Sequence, residues 1–412
     1  MDLCSAQDWL LACGRCSTSD VHDHRGIYLT MEITANIAGK GLTQIRIQDG
    51  RIESVRTVRG IDPKHPFASP GFVDIQVNGF AGVDFSDSKL TAERATGVLQ
   101  AIWKTGVTSF CATLVTNTIE GLERSLRVLE AARRLDARFA YTMPCYHLEG
   151  PYISPGEAHG AHDPKLMRSP DWDEFSRLQE AAAGNIAIVT LAPEIPGACE
   201  FIRRARGAGI VVAIGHTDGS PAHIHKAIAA GAALSTHLGN GCPTYIHRHK
   251  NPIWAQIASD ELSASLICDG FHLPRDLVRT IYKTKGIDRC ILVTDAVQVA
   301  TLPPGQYWLA NTKIRLLPSG QVITADGHSM AGSSLGMNRA VAVFRRFAGA
   351  SLQEALQAAT TNPAKLLGHR QICSEIEPGQ PANLVIFRVK ANALHVQTVL
   401  VQGEQVYRCS PD

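Results

Sequence analysis

Residues 209–241 read GIVVAIGHTDGSPAHIHKAIAAGAALSTHLGNG, and this stretch decides the fold. It starts with a short apolar run, IVVAIGH, which is typical of a buried β-strand. An amphipathic segment with helical spacing, AHIHKAIAAGA, follows it, and a second strand-like run, ALSTH, comes directly afterwards. A strand, a helix and a second strand in this order predict a parallel βαβ unit.

The same alternation continues through most of the chain, from about residue 70 to about residue 365. Eight apolar runs with helical connectors between them occur there: FVDIQV, VTSFCATL, YTMPCYHL, IAIVTLA, IVVAIGH, ALSTH, SASLIC and CILVTD. A doubly wound sheet is the alternative arrangement, but no G-x-G-x-x-G follows the first strand. We therefore predict an α/β protein in which residues 70–369 form a (β/α)8 TIM-like barrel.

The two chain ends have a different pattern, in which apolar and polar residues alternate. Near the start, TQIRIQDGRIESVRTV predicts a hairpin that turns at Asp49-Gly50, and near the end VQTVLVQGEQVYR turns at Gly403. We expect residues 31–69 plus 370–412 to pair into one small β-sandwich domain. Residues 301–330 predict a β insertion in the barrel, and residues 1–30, which lack periodicity, predict a disordered N-terminal extension.

Composition excludes several classes of function. The chain has 412 residues, and its 40 basic and 38 acidic residues leave a net charge of +2. No run of five like charges occurs, which argues against a nucleic-acid partner or a membrane-surface patch. No apolar stretch reaches the roughly 18 to 20 residues that span a bilayer, and Asp2 and Asp8 lie where a secretory signal would carry basic residues. Together with eleven scattered cysteines, this predicts a cytoplasmic protein with reduced thiols.

Polar residues at the ends of the predicted barrel strands are the candidates for chemistry, because active sites of such barrels lie at that face. Glu149, His216, His237 and Asp295 end four different strands. Two imidazoles and a carboxylate are the ligand set of a catalytic zinc-type site, and the remaining carboxylate, Asp295, then serves as a base. Alternatively, each histidine is a packed or capping residue, but four coincidences at strand ends weaken that interpretation.

Several longer motifs resemble those of the amidohydrolase superfamily and, within it, the N-acetylglucosamine-6-phosphate deacetylases. The motifs are PGFVDIQVNG (70–79), HLEGPY (147–152), TLAPE (190–194), GHTDG (215–219), THLGNG (236–241), DGFH (269–272), TDA (294–296) and MAGSSLGMNRAV (330–341). Their order and spacing, from about residue 33 to residue 387, carry the resemblance.

The resemblance implies one divalent metal ion per subunit, zinc or else iron, cobalt or manganese, held by Glu149, His216 and His237. The H-x-H usual on the first strand of the superfamily is replaced here by Gln76-Val77-Asn78, as in single-metal members, and Gln76 is expected to position the attacking water. Asp295 would take the proton from water and deliver it to the leaving amine.

The resemblance also implies the substrate contacts. His162 would stabilise the oxyanion of the acetyl group, and His272 would hold a sugar hydroxyl. For the phosphate, Asn240, a backbone N–H near Gly241 and Arg248 are the candidates, although a solvated basic loop is an equally good interpretation of Arg248. The family has an aromatic residue and an alanine where this chain has Gly239 and Gly241, so the pocket is expected to be reshaped.

These observations lead to one main hypothesis and two alternatives. The main hypothesis is metal-dependent deacetylation of an N-acetylated amino sugar, with the 6-phosphate as the first choice of substrate. The resemblance further implies a homodimer in which a loop of one subunit completes the phosphate site of the other. The first alternative is hydrolysis of a different or non-phosphorylated N-acyl or cyclic amide substrate. The second is a catalytically silent barrel used as a binding protein.

Overall fold

The computed structural model of the chain describes residues 30–309, 312–327, 329–368, 372–391 and 393–410. The N-terminal extension expected at residues 1–30 lies outside this part of the chain, except for Thr30. Within the described residues, no helix combines the length and the apolar composition needed to cross a membrane.

The first four strands belong to one sheet: β1 (Thr30–Ile37), β2 (Gly41–Gln48), β3 (Arg51–Arg59) and β4 (Phe67–Pro70). β1 and β2 pair antiparallel with Ile33 opposite Ile45, and β4 joins the other edge of β1 in parallel. The predicted turn between β2 and β3 is confirmed, with φ of 51° at Asp49 and 76° at Gly50. Asp and Gly tolerate this left-handed conformation, which a two-residue hairpin loop requires.

Next come the strands of a parallel barrel and one small hairpin. The barrel strands are β5 (Phe72–Val77), β8 (Val107–Val115), β9 (Cys145–Glu149), β10 (Ile186–Leu191), β11 (Val211–Ile214), β12 (Leu234–Ser235), β13 (Ser263–Ile267) and β14 (Cys290–Val293), and the hairpin is β6 (Gly79–Phe80) with β7 (Val83–Asp84). Neighbours in sequence are neighbours in the barrel, from β5 to β14. A parallel bridge between Val77 and Ala296 joins the last segment to the first. The predicted (β/α)8 architecture is therefore confirmed, and each of its eight strands overlaps a predicted run. The run YTMPCYHL is correct only in its second half, because Tyr141 and Thr142 end the preceding helix and β9 begins at Cys145.

Helices connect these strands and cover the barrel. They are α1 (Ala92–Thr96), α2 (Leu99–Trp103), α3 (Ile119–Leu135), α4 (Ala137–Thr142), α5 (Trp172–Ala181), α6 (Ala198–Gly207), α7 (Pro221–Ala230), α8 (Pro252–Ala258), α9 (Arg275–Lys285), α10 (Met337–Phe344), α11 (Leu352–Gln357) and α12 (Thr361–Leu367). Short 3₁₀ helices occupy Glu157–His159, Pro164–Leu166 and Ile287–Arg289, and Arg345–Gly349 is a short π-helix.

The longest helix, α3, illustrates how the sequence specifies this layer. Leu122, Leu126 and Leu129 are buried and recur at intervals of three and four residues, so they form one apolar stripe against the barrel. The Thr118 hydroxyl accepts the N–H of Gly121 and caps the first turn. The barrel face of such helices is therefore set by apolar spacing, and their starts are set by capping residues.

The β insertion predicted at residues 301–330 is a separate three-stranded antiparallel sheet. Its strands are β15 (Gly305–Leu309), β16 (Thr312–Leu316) and β17 (Val322–Thr324). Leu309, Ile314 and Val322 pack with Val297 and Val299, which follow the last barrel strand. This cluster fixes the insertion beside the carboxyl end of β14.

The C-terminal strands return to the first sheet. β18 (Leu384–Lys390), β19 (Ala393–Val401) and β20 (Glu404–Arg408) are antiparallel, and β18 pairs with β4, placing Leu384 opposite Pro70. The result is one seven-stranded sheet with the order β20-β19-β18-β4-β1-β2-β3. Pairing of the two chain ends is thus confirmed, while the division into units at residues 31–69 plus 370–412 and 70–369 stays a prediction.

Candidate active site and metal centre

A cavity of about 460 Å³ opens at the carboxyl ends of the barrel strands. Its floor contains Glu149, His216, His237 and Asp295, which come from four different strands or the segments directly after them. The cavity can therefore hold a small molecule directly above the strand ends, where the sequence predicts the chemistry.

Glu149, His216 and His237 form a tight, buried cluster. Glu149 is the last residue of β9, and each histidine lies two residues beyond the end of its strand. His237 Nε2 is 3.0 Å from Glu149 Oε1 and 3.1 Å from His216 Nε2, and His216 Nε2 is 3.4 Å from the same oxygen. Among the residues that the structure describes, this is the only group of three or more histidines, cysteines or carboxylates close enough to share a metal ion.

The donor atoms fit a divalent cation such as zinc. Ligand atoms about 2.0–2.2 Å from a tetrahedral ion are separated by about 3.3 Å, close to the separations in this cluster. The Nδ1 atom of His216 lies 3.0 Å from the carbonyl oxygen of Ala158. Donation of Nδ1–H to this carbonyl leaves the Nε2 lone pair of His216 directed at the cluster, as a metal-ligating histidine requires.

The backbone around the cluster is strained. His216 and His237 have φ of 49° and 31°, in the left-handed region that side chains rarely adopt. Gly160 and Gly241 approach the His216 ring so closely that a Cβ on either would lie 3.3 Å and 3.0 Å from it, respectively. These close contacts hold the imidazole in place between two loops.

Hydrogen bonds between loops add to this rigidity. Glu194, after β10, accepts the hydroxyl of Thr217 at 2.5 Å and the N–H of Asp218 at 2.8 Å. The N–H of Thr217 donates to the carbonyl oxygen of Gly241 at 3.0 Å. The loops carrying His216 and following His237 are thus connected to each other and to the loop after β10.

The electrostatics of the cluster favour bound positive charge. Burial alone would raise the pKa of Glu149, but its hydrogen bonds to His216 and His237 hold that pKa well below its ordinary value. For His237, burial would lower the pKa, and the hydrogen bond and charge of Glu149 outweigh this effect and raise it. A buried carboxylate that stays ionised between two imidazoles is a suitable environment for a divalent cation.

Asp295 is connected to the cluster by two side-chain amides. Gln76 Nε2 donates to Glu149 Oε1 at 2.9 Å and to Asp295 Oδ1 at 3.1 Å. Asn78 Nδ2 donates to the same Asp295 oxygen at 2.6 Å. Burial and the negative charge of Glu149 raise the pKa of Asp295 to about 6, so its carboxylate can still accept a proton at neutral pH.

Asn78 is a site residue to which the sequence analysis assigned no role. The sequence comparison treats Gln76 and Asn78 as the replacement for the superfamily's H-x-H and predicts a function for Gln76 alone. The signal that could have identified Asn78 is its place directly after the first barrel strand, β5, which ends at Val77. Polar residues at the ends of barrel strands are candidates for chemistry, and this rule, which identified Asp295, applies equally to Asn78.

His162 lines the cavity next to His216, with ring centroids 4.4 Å apart. Its Nδ1 accepts the N–H of Thr116 at 3.4 Å and lies 2.8 Å from the Thr116 hydroxyl. Burial and the nearby His216 lower the pKa of His162 to about 3, so the ring is neutral. Because Nδ1 accepts, the proton of the neutral ring is on Nε2.

His272 also lines the cavity, and its Nδ1 lies 2.7 Å from Asp269 Oδ2. By contrast, His147, which precedes Glu149 by two residues, is engaged on both ring nitrogens. Its Nδ1 lies 3.0 Å from Ile75 O, and its Nε2 lies 2.7 Å from the Thr190 hydroxyl. His147 is therefore a packed residue that links strands, and burial lowers its pKa to about 4.

The three residues expected at the phosphate end differ in their placement. Asn240 and Gly241 line the cavity, and Asn240 Nδ2 donates to the His237 carbonyl oxygen at 3.2 Å. Arg248 is exposed and is not among the cavity residues. Its backbone carbonyl accepts Trp254 Nε1–H at 2.8 Å, and its side chain does not line the cavity.

The β insertion contributes part of the wall, which the sequence analysis did not foresee. Leu309, Thr312, Ser329 and Met330 line the cavity beside Gly332. The packing of this insertion against Val297 and Val299 brings its edge over the site. Apolar alternation indicated strands there but carried no information about where the sheet docks.

A parallel barrel with a buried Glu-His-His cluster, and with a carboxylate of raised pKa beside it, defines the class of metal-dependent hydrolases. The model of the amidohydrolase family matches residues 67–406. The chain belongs to this family.

Individual relatives cover most of the chain. It is 33% identical over 352 residues to the N-acetylglucosamine-6-phosphate deacetylase of Bos taurus, covering 82% of this chain and 83% of that protein. It is 30% identical over 369 residues to the N-acetylgalactosamine-6-phosphate deacetylase of Escherichia coli O157:H7, covering 88% and 94%. Among solved structures, a variant of the Mycobacterium smegmatis N-acetyl-D-glucosamine-6-phosphate deacetylase in complex with N-acetyl-D-glucosamine-6-phosphate has a TM-score of 0.83 at 29% identity, covering 92% of this chain and all of that one.

Proposed function

We propose that the chain hydrolyses the N-acetyl amide of N-acetylglucosamine-6-phosphate to give glucosamine-6-phosphate and acetate. The single observation that carries this proposal is the buried Glu149, His216 and His237 cluster with Asp295 beside it, on the floor of the cavity. The names of the similar deacetylases support the choice of an acetylated amino-sugar phosphate.

We propose that Glu149, His216 and His237 hold one zinc ion, with iron, cobalt and manganese as alternatives. A divalent ion bound there supplies Lewis-acid chemistry, which polarises the amide carbonyl and acidifies water. The donor set of two imidazoles and one carboxylate leaves room in the coordination sphere for ligands from the solvent and substrate.

The protein's own residues then move the proton and stabilise charge. Gln76 positions the attacking water, and Asp295 accepts its proton while the oxygen forms a bond to the acetyl carbon. His162 donates Nε2–H to the oxyanion that develops on the acetyl oxygen. Asp295 finally returns the proton to the amine nitrogen as the C–N bond breaks, so that one carboxylate acts first as base and then as acid.

For the phosphate end, we propose Asn240, the backbone N–H of Gly241 and Arg248. Because Arg248 lies outside the cavity of its own subunit, we further propose a homodimer in which this loop reaches the site of the other copy. The exposed aromatic side chains of Tyr245 and Trp254, which are 90% and 51% accessible, flank the loop and suit such an interface. No nucleic-acid or membrane partner is proposed, and the cysteine usage of the sequence supports a cytoplasmic location.

A second candidate is a substrate that differs at the sugar or lacks the phosphate. Two observations favour it: the changed loop at Gly239 and Gly241, and the placement of Arg248 away from the cavity. At Gly239, a Cβ would lie 2.8 Å from Leu273 Cδ2, so a leucine occupies space next to this loop. The E. coli relative named for N-acetylgalactosamine-6-phosphate makes the epimer a concrete alternative.

The deciding experiment measures acetate release by the zinc-loaded protein. N-acetylglucosamine-6-phosphate, N-acetylgalactosamine-6-phosphate and N-acetylglucosamine are compared side by side at equal concentration. Preference for the first compound supports the proposal. Preference for the second or third selects the alternative substrate, and no release from any of them, with metal bound, refutes deacetylation of these amino sugars.

A further inference from the structure

Asp269 and His272 form a buried pair at the cavity wall that the proposed reaction steps do not use. Asp269 comes two residues after the end of β13, and its side chain is 7% exposed, while that of His272 is 5% exposed. Asp269 Oδ2 lies 2.7 Å from His272 Nδ1. His272 lines the cavity, whereas Asp269 lies behind it.

The two carboxylate oxygens of Asp269 have separate partners. Oδ1 accepts the backbone N–H of Phe271 at 2.7 Å and that of His272 at 2.9 Å. Oδ2 faces the imidazole. Burial alone would raise the pKa of Asp269, but the hydrogen bond from His272 and those from the two backbone N–H groups hold this pKa below its ordinary value. An ionised carboxylate accepts and cannot donate, so the ring nitrogen facing it carries a proton.

We propose that Asp269 is a positioning residue: when the His272 imidazole carries a single proton, Asp269 keeps that proton on Nδ1, so that Nε2 accepts a hydrogen bond from a substrate hydroxyl. This inference rests on the proposed function, in which His272 contacts the sugar. It adds a direction to that contact: the substrate donates and the protein accepts. A group without a proton at this position, such as an ether or a deoxy carbon, is therefore disfavoured.

The surrounding contacts keep the pair in one arrangement. Arg339 donates to the Asp269 carbonyl oxygen at 3.2 Å, and its guanidinium lies 6.0 Å from the centre of the Phe271 ring. The backbone from Asp269 to His272 is thus fixed both by its own side chain and by α10. A purely structural role for Asp269 would require only the backbone hydrogen bonds to Oδ1, so the test must read the imidazole itself.

The substitution Asp269→Asn separates the two roles. The Asn carbonyl oxygen retains the two backbone N–H donors, because an amide nitrogen cannot accept them. The amide NH2 then faces His272 Nδ1, which must accept, and the ring proton moves to Nε2. The expected result is that the 15N NMR signals of His272 change from the Nδ1–H to the Nε2–H pattern at a pH where the ring is neutral. The 15N signals that are absent from the spectrum of the His272→Gln variant are assigned to His272.

Kinetics of acetate release provide a second readout. Two donors, Nε2–H and the substrate hydroxyl, then face each other in the Asp269→Asn variant, so KM rises roughly tenfold or more while kcat changes less. The matched control is Asp276→Asn, because Asp276 is an exposed carboxylate in the following helix, α9. This control variant should leave KM and the NMR spectrum of His272 unchanged.

The results that would overturn this inference differ from the results that would overturn the proposed function. An Nε2–H ring in the unmodified protein overturns the inference, and this spectrum decides the question even if Asp269→Asn does not fold. A flipped ring with unchanged KM also overturns it, because Nε2 then has no contact with a hydroxyl. If the unmodified protein releases no acetate from any amino sugar, the proposed function fails, while the spectra still decide whether Asp269 sets the form of the ring.

Discussion

The Thr294 hydroxyl donates a hydrogen bond of 2.6 Å to Asp74 Oδ2, across the seam where the last barrel strand meets the first. The same carboxylate accepts the backbone N–H of Thr294 at 3.2 Å and that of Gln76 at 3.3 Å. Asp74 therefore fixes the backbone next to Gln76 and next to Asp295 at once. The position of Asp295, the candidate base, therefore depends on the contacts that close this seam.

Removing the Thr294 hydroxyl should weaken the seam. Thr294→Val keeps the shape of the side chain but leaves the buried Asp74 carboxylate with one donor fewer, and this costs about 1–3 kcal/mol of unfolding free energy. We expect kcat to fall as well, because Asp295 follows directly. Urea denaturation and acetate release measure the two effects. Thr294→Ser retains the hydroxyl and should stay close to the unmodified protein; equal losses in both variants would refute a role for the hydrogen bond.

Asp74 should also make stability depend on pH. Burial raises its pKa from the ordinary 3.8 to about 7 in the folded protein, against its three hydrogen bonds. Between these pH values the folded state binds a proton that the unfolded state has lost, so the stabilisation is complete below about pH 4 and is lost as pH rises through 7. Asp74→Asn cannot titrate. The unfolding free energy of the unmodified protein minus that of the variant should therefore decrease from pH 4 to pH 7, and a constant difference would contradict this assignment.

The barrel and the metal cluster were predictable because both follow from local patterns. Each strand is a short apolar run, and parallel strands place their carboxyl ends on one face, so His216 and His237 had to come near Glu149. This inference requires only that the strand ends are predicted to within one or two residues.

The cavity wall was less predictable, because it is built by loops and by docking of one sheet on another. The family resemblance makes Arg248 a candidate for the phosphate site, but the direction of its loop depends on contacts such as that with Trp254. Likewise, Met330 reaches the cavity only because the β insertion packs on Val297. Neither relationship has a signature in local periodicity.

Replacing Asp295 with Asn tests the proposed base directly. The Asn oxygen can still accept the amide hydrogens of Gln76 and Asn78, so the geometry and the metal cluster should persist. The side chain can no longer accept a proton, and kcat should fall by about 10²–10⁴-fold. Metal content is measured alongside acetate release. The control is Asp260→Asn, because the Asp260 side chain is 80% exposed. Nearly full activity in the Asp295→Asn variant would show that another group is the base.

The role of Arg248 is tested by the difference between two substrates. If its guanidinium binds the phosphate, Arg248→Ala should raise KM for the phosphorylated sugar by roughly tenfold or more and leave KM for the plain sugar nearly unchanged. Lys250→Ala removes another exposed cation from the same loop and controls for a general loss of positive charge. Equal changes for both substrates would remove Arg248 from the phosphate site.

A mixed dimer shows which subunit supplies the guanidinium. Arg248→Ala and Asp295→Asn subunits are each impaired, but a dimer containing one of each has a site with Asp295 in one subunit and Arg248 in the other. If the loop reaches across the interface, that site is complete, and mixing the two variants should restore activity at low concentrations of the phosphorylated sugar. If Arg248 serves its own subunit, every site in the mixture lacks one of the two groups, so restoration would not occur.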